Sequence, residues 1–152
     1  MLQYWQHPND CSGYYGSCSG SFSSVYAGVV TTAAQIVNDQ EAVQFVPPVV
    51  ERSGVEFNGK DLLRIIVPGN YFCMGFVTPA ADEAGPITIS IGLNGPGFGL
   101  YGANNGPAAG QQVVCFGFTG FIPRGTTLGL YNASGKSIRL SRLPARIAVF
   151  RI

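Results

Sequence analysis

Tyr71-Phe72-Cys73-Met74-Gly75-Phe76-Val77 is apolar at almost every position. Alternate residues of a β-strand project to opposite faces of its sheet, so both faces of this one are apolar. Val113-Val114-Cys115-Phe116-Gly117-Phe118 repeats the pattern. A strand with one solvated face alternates apolar and polar residues, and the core of a sandwich covers only one side. The second face of these two strands therefore has to meet another subunit or another part of the chain. Tyr71, Phe72, Phe76, Phe116 and Phe118 are the candidate core and interface residues. The sequence leaves open which of them lies on which side.

Outward from these two stretches, the chain reads as short strands separated by turns. The candidates are Phe22–Val30, Ala42–Val46, Gly54–Phe57, Asp61–Val67, Asn70–Thr78, Ile87–Leu93, Gln112–Phe118, Thr126–Tyr131, Ser137–Leu140 and Ala145–Ile152. Ile87–Leu93 has Ile87, Ile89, Ile91 and Leu93 on one face, with Thr88, Ser90 and Gly92 on the other. Asn58-Gly59 is a two-residue hairpin signal, Pro68-Gly69 is a turn, and Pro47-Pro48 stops pairing. Gly95–Gly110, rich in Gly, Asn and Pro, reads as a loop. Ala33–Val43 is the one stretch with a hint of helical period, and its β-branched neighbours and missing caps argue against a helix. About ten short strands at this spacing predict an all-β, antiparallel sandwich or barrel.

Residues 1–20 differ from the rest. Cys11-Ser12-Gly13-Tyr14-Tyr15-Gly16-Ser17-Cys18 has no periodicity and reads as an extended arm, with residues 21–152 as the folded domain. Met1–Pro8 lacks the basic and apolar regions of a secretory signal, so a processed signal or release by cell lysis is expected. Charged residues make up only 11% of the chain, against about 25% in a typical domain. That depletion suggests a surface that meets other protein, as opposed to one that is merely neutral and polar. The net charge of +1 conceals a division. All eight acids lie before residue 84, whereas Arg124, Lys136, Arg139, Arg142, Arg146 and Arg151 follow it. Interleaved strands would let the halves neutralise each other within one subunit; opposite charge at opposite ends would instead suit head-to-tail stacking.

Residue types that carry chemistry are sparse. His7 is the one histidine, and it lies in the arm. Cys11 and Cys18 are too far apart for the usual zinc spacing, and no phosphate loop, dinucleotide fingerprint or nucleophile elbow is present. Cys73 and Cys115 sit inside apolar strands and read as small core residues. No catalytic residue, cofactor or metal site is expected, and dispersed basic residues on a near-neutral chain argue against nucleic-acid binding. No run of 18 apolar residues suggests a membrane helix. Asn132-Ala133-Ser134 fits both a glycosylation acceptor and a plain turn before Gly135, and the turn is the reading taken.

Ile65–Val77, where Val-Pro-Gly leads to the pair Tyr71-Phe72, resembles the Gly-x-Tyr-Phe strand of the complement-head and tumour-necrosis-factor superfamily. Ile87–Gly95, "ITISIGLNG", is similar to the mid-domain strand of its bacterial branch, the C-terminal domains of collagen-like exosporium glycoproteins on spore surfaces. Arg124–Leu140 resembles that branch's strand, turn and strand, Ala145–Ile152 its last strand, and Ser21–Val46 its opening. The resemblance spans nearly all of 21–152. It implies a jelly-roll homotrimer, with one sheet of each subunit facing the three-fold axis, and binding or structural work in place of catalysis. No Gly-x-y stalk is present; the arm stands in its place.

The expected function is therefore a self-assembling structural subunit of an extracellular fibre or surface layer, of spore-appendage or exosporium type. Its partners would be its own copies and an anchoring protein on the spore or cell surface. Cys11, Cys18, Tyr4, Trp5, Tyr14 and Tyr15 are the candidate connector residues between trimers, the two cysteines through disulfides. A phage capsid-decoration or fibre-head protein and a carbohydrate- or receptor-binding head are the alternatives.

Overall fold

Short runs of β-branched and aromatic residues between turns favour strands over helices, because such side chains pack well on a pleated surface. In the computed structural model, which describes residues 26–45, 49–51, 54–83, 85–96, 101–104 and 113–152, twelve strands and no helix are present among the described residues. At Tyr26, 49–51, 101–104 and 113–118 the backbone alone is described. The strands are β1 (Tyr26–Thr31), β2 (Gln35–Val37), β3 (Val49–Glu51), β4 (Val55–Phe57), β5 (Leu63–Ile65) and β6 (Gly69–Val77), then β7 (Ile87–Leu93), β8 (Tyr101–Asn104), β9 (Val113–Ile122), β10 (Thr127–Asn132), β11 (Ile138–Leu140) and β12 (Ala145–Arg151).

One five-stranded sheet has the order β3-β1-β12-β6-β9, the other β4-β5-β10-β7-β8, and β11 pairs with β2 in a small third sheet. All these pairings are antiparallel. The first and last described strands lie side by side, with Tyr26 opposite Phe150 and Thr31 opposite Ala145. The two large sheets form an all-β jelly-roll sandwich. Between them lie Ala27, Val29, Leu63, Ile65, Tyr71, Cys73, Ile87, Ile89, Ile91, Leu128, Leu130, Ile147 and Val149, all at most 1% exposed. Each large aliphatic side chain so buried contributes about 1.5–3 kcal/mol.

Several expected elements differ. Gly95–Gly110 is not loop throughout: β8 pairs Tyr101–Asn104 with Ile87–Ser90, a strand made by its neighbour's ladder and not by its own Gly-Ala-Asn composition. The described part of Ala42–Val46, residues 42–45, forms no strand; Ala42 makes one isolated bridge to Tyr131. β2 and β3, three residues each, lie outside the expected candidates. The β4–β5 hairpin exists, but Asn58-Gly59 is not its two-residue turn. Asn58 N–H bonds to Leu62 O at 3.0 Å, while Asn58 Oδ1 accepts the N–H groups of Lys60, Asp61 and Leu62. The asparagine carbonyl thus organises a wider loop than the dipeptide signal implies.

Asn132 is fully buried at the end of β10. Its Nδ2 donates to Val37 O at 3.0 Å and Lys136 O at 2.7 Å, and its Oδ1 accepts Ser134 N–H at 3.0 Å. Both amide hydrogens are used, so the folded protein has no place for a glycan there. The motif is a turn hub that ties β10, β2 and the residues before β11 together. Asn132→Ala leaves these buried groups without partners, and each such group costs about 1–3 kcal/mol. The expected loss is about 2–4 kcal/mol, read as the shift in a urea unfolding curve; a change below about 0.5 kcal/mol would contradict the hub.

Candidate subunit interface

Burial along β6 alternates strictly. Tyr71, Cys73, Gly75 and Val77 are buried in the sandwich, whereas Phe72, Met74 and Phe76 are half-buried on the outer face. The register extends this face sideways. On β12, Phe150 lies opposite Phe72, Ala148 opposite Met74 and Arg146 opposite Phe76. On β1, Gly28 faces Ala148 and Val30 faces Arg146. On β9, Thr119 lies opposite Phe72 and Phe121 opposite Asn70. The rings of Phe72 and Phe150 meet with centroids 6.4 Å apart and planes tilted by 37°, a common aromatic pairing. Phe121 is 66% exposed and Ile152 is 70% exposed; Ile152 joins the same end through its N–H bond to Asn70 O.

The outer face of the other sheet is built differently. Glu56 lies opposite Arg64, and Arg64 opposite Thr127. Thr88, Ser90 and Gly92 follow on β7. Tyr131 covers this face: a Cβ at Gly92 would come within 2.7 Å of its ring, and one at Gly129 within 2.8 Å. The ring lies on a cross-strand glycine pair, since Gly129 is opposite Gly92. Burial raises the Tyr131 hydroxyl above its usual pKa, and Asp61 adds to the shift. One large sheet therefore closes its outer face with polar groups and its own tyrosine, while the other leaves phenylalanines partly open.

Tyr71 belongs to the core and not to this face. It is 0% exposed, its hydroxyl donates to Val67 O, and burial raises its pKa. Phe72 and Phe76 lie on the outer face. Phe116 is placed by register opposite Met74, and Phe118 falls where the β6–β9 register shifts between Phe72 and Met74. Tyr4, Trp5, Cys11, Tyr14, Tyr15 and Cys18 lie outside the described residues. Sequence reasoning missed Phe150, Ala148, Val30 and Phe121. The test that singled out β6, apolar residues on both faces, applies equally to Ala148 and Phe150, which alternate with Ile147 and Val149. Among the described residues, no three His, Cys, Asp or Glu side chains gather as a metal site, and no helix is long and apolar enough to cross a membrane.

No protein-family model matches the chain, and no curated protein sequence matches it. Solved structures with this architecture do. The globular domain of zebrafish complement 1qA protein is similar at 15% identity and a TM-score of 0.64, over 84% of this chain and 96% of that one. Murine APRIL at pH 5.0 is similar at 16% identity and a TM-score of 0.66, over 85% and 99%. Eiger TNF from S. frugiperda is similar at 12% identity and a TM-score of 0.63, over 85% and 92%. These likenesses establish the fold: a jelly roll of the tumour-necrosis-factor and complement-head architecture.

Cys73 lies in the core beneath this face at 0% exposure, and burial pushes its thiol up to about 12. An unfolded thiol ionises near about 8.5. Below that pH both states hold the proton and the contribution to stability is complete. As pH rises toward 12 the unfolded state releases its proton first, so stability falls. Unfolding midpoints measured from pH 8 to 10 are expected to fall more steeply for the native chain than for Cys73→Ala, with a difference of at most about 1.4 kcal/mol per pH unit. Equal slopes, or rapid thiol labelling of Cys73 without denaturant, would exclude a buried protonated thiol.

Proposed function

We propose that this chain is a non-enzymatic structural subunit that assembles as a homotrimer on an extracellular surface, with its 1–20 arm linking one trimer to the next. The observation that carries the reading is the contrast between the two outer sheet faces. Phe72, Met74, Phe76 and Phe150 leave apolar surface partly open on one sheet, around a buried Ala148, while the other covers itself. Burying such a surface against copies of itself gains about 25 cal/mol per Å² of apolar area removed from water. The jelly-roll fold and the family resemblance support a three-fold arrangement with this sheet toward the axis. The low charge of the chain and the aromatic arm support higher assembly, as a spore- or cell-surface fibre or layer held by an anchoring protein.

Light scattering of the purified chain at micromolar concentration is expected to give three times the chain mass of 16.1 kDa. Phe72→Asp and Met74→Asp place a charge on the half-buried outer face without touching the core, and each is expected to shift the protein toward monomer while circular dichroism still reports a folded β-protein. A stable monomer for the native chain sinks the reading. So does a trimer that both substitutions leave intact.

A further inference from the structure

Arg139 turns its backbone groups away from β2. Its N–H donates to Glu83 Oε2 at 2.9 Å, and its carbonyl accepts the N–H of Ala80 at 2.9 Å. In an antiparallel ladder, the residue opposite such a position also turns its N–H and C=O outward. That residue is Ile36, whose side chain is 68% exposed. β2 is thus a short edge with backbone groups aimed away from its sheet. Beside it lies an open groove of about 420 Å³, walled by Ala34, Ile36, Ala80, Arg139 and Ser141. The guanidinium at its rim is fixed by Asp82 at 3.0 Å and Glu83 at 3.3 Å.

The groove's place in the fold matters as much as its shape. Residues 1–25 join the domain at Tyr26, beside Phe150. The groove begins at Ala34, past Thr31 at the other end of β1. Six strand residues, about 20 Å, separate the two, so the arm leaves from one end of the sandwich and the groove opens at the opposite end. When copies stack head to tail, the arm of one meets the groove of the next, and such a heterologous contact propagates without closing.

We propose that this groove accepts the 1–20 arm of a subunit in the neighbouring trimer; the proposal rests on the trimer-and-connector reading above and names its acceptor. The chemistry matches. The arm carries Tyr4, Trp5, Tyr14 and Tyr15, no Lys or Arg, and one acid, Asp10. Aromatic rings fill apolar walls and stack on a fixed guanidinium. Extended backbone pairs with the outward N–H and C=O of Ile36 as an added strand. Tyr15 lies eleven residue steps before Tyr26, a reach of up to about 36–40 Å, enough to cross onto an adjoining copy.

The test is a complementation between two full-length proteins, each purified as a trimer. The acceptor protein carries Tyr4→Ser, Trp5→Ser, Tyr14→Ser and Tyr15→Ser and keeps its groove. The donor protein carries Ile36→Arg, an exposed position, and keeps its arm; Ala34→Arg serves as an independent donor. By light scattering and negative-stain microscopy, the native chain is expected to stack, and each variant alone to remain at three chain masses. Their mixture is expected to double in mass to six chains. Donors that stack like the native chain overturn the groove as acceptor while leaving the trimer reading in place. A mixture that fails to pair, although each variant alone is blocked, puts the arm on its own subunit and overturns the proposal. An acceptor protein that stacks like the native chain defeats the connector reading itself, and monomers throughout defeat the trimer.

Discussion

The two faces of β6 cannot be satisfied by one sandwich. Its inner residues are modest in bulk apart from Tyr71. At Gly75 a Cβ would come within 2.9 Å of Leu130, so that position exists to admit a side chain from the opposite sheet. The strand's remaining volume is carried outward by Phe72, Met74 and Phe76. Core packing and outer apolar surface are therefore coupled through a single strand. The inner face is kept small to bring the sheets together, and the large residues of the same strand are left facing away from the core. β12 repeats the arrangement, with Ile147 and Val149 inside and Ala148 and Phe150 outside. An outer face this apolar is disfavoured by water, and a second protein surface is the simplest cover for it.

The second large sheet shows that the fold does not require this. There Tyr131 lies over Gly92 and Gly129 at 7% exposure, and charged or hydroxyl side chains take the rest of the face. The glycine pair is a local solution: it lowers the floor so that one ring covers the sheet from within the same chain. Both sheets thus cover the core between them, yet they treat their outer faces in opposite ways. That asymmetry leaves apolar side chains partly open on one side of the molecule and covers the other from within the chain.

Much of this was legible in the sequence where side-chain period alone decides structure. Ile87, Ile89 and Ile91 alternate with Thr88, Ser90 and Gly92, and β7 follows that alternation, its isoleucines fully buried. The doubly apolar reading of Tyr71–Val77 located the strand that joins the core to the exposed face. Where the strand owes its existence to a partner, sequence fell silent. Tyr101–Asn104 has little strand propensity and becomes β8 because β7 offers it a ladder. Asn58-Gly59 misled because Asn58 Oδ1 binds three amides ahead of it, an alternative the dipeptide rule does not contain. Phe150 enters the apolar face only through register: its place opposite Phe72, and that of Ala148 opposite Met74, is set by a strand pairing that sequence alone does not show.

The division of charge along the chain has a topological resolution. The residues after β6 fold back beside β11, with Pro79 bridging Leu140. This sets Asp82 and Glu83, from the acidic half, against Lys136 and Arg139, from the basic half, at 3.0–3.5 Å. Asp39 likewise accepts the N–H of Gly135. Acids and bases that are far apart in sequence are thus consumed within one subunit at these sites. The exposed Arg139–Asp82 pair adds little stability, typically about 0–1 kcal/mol, whereas the Glu83 carboxylate is only 9% exposed between Lys136 and Arg139, so its charge is withdrawn from the surface. Attraction between opposite ends is then a weak basis for association. What remains to drive it is apolar area and shape: phenylalanines on one sheet face, and a groove at the end of the sandwich away from Tyr26.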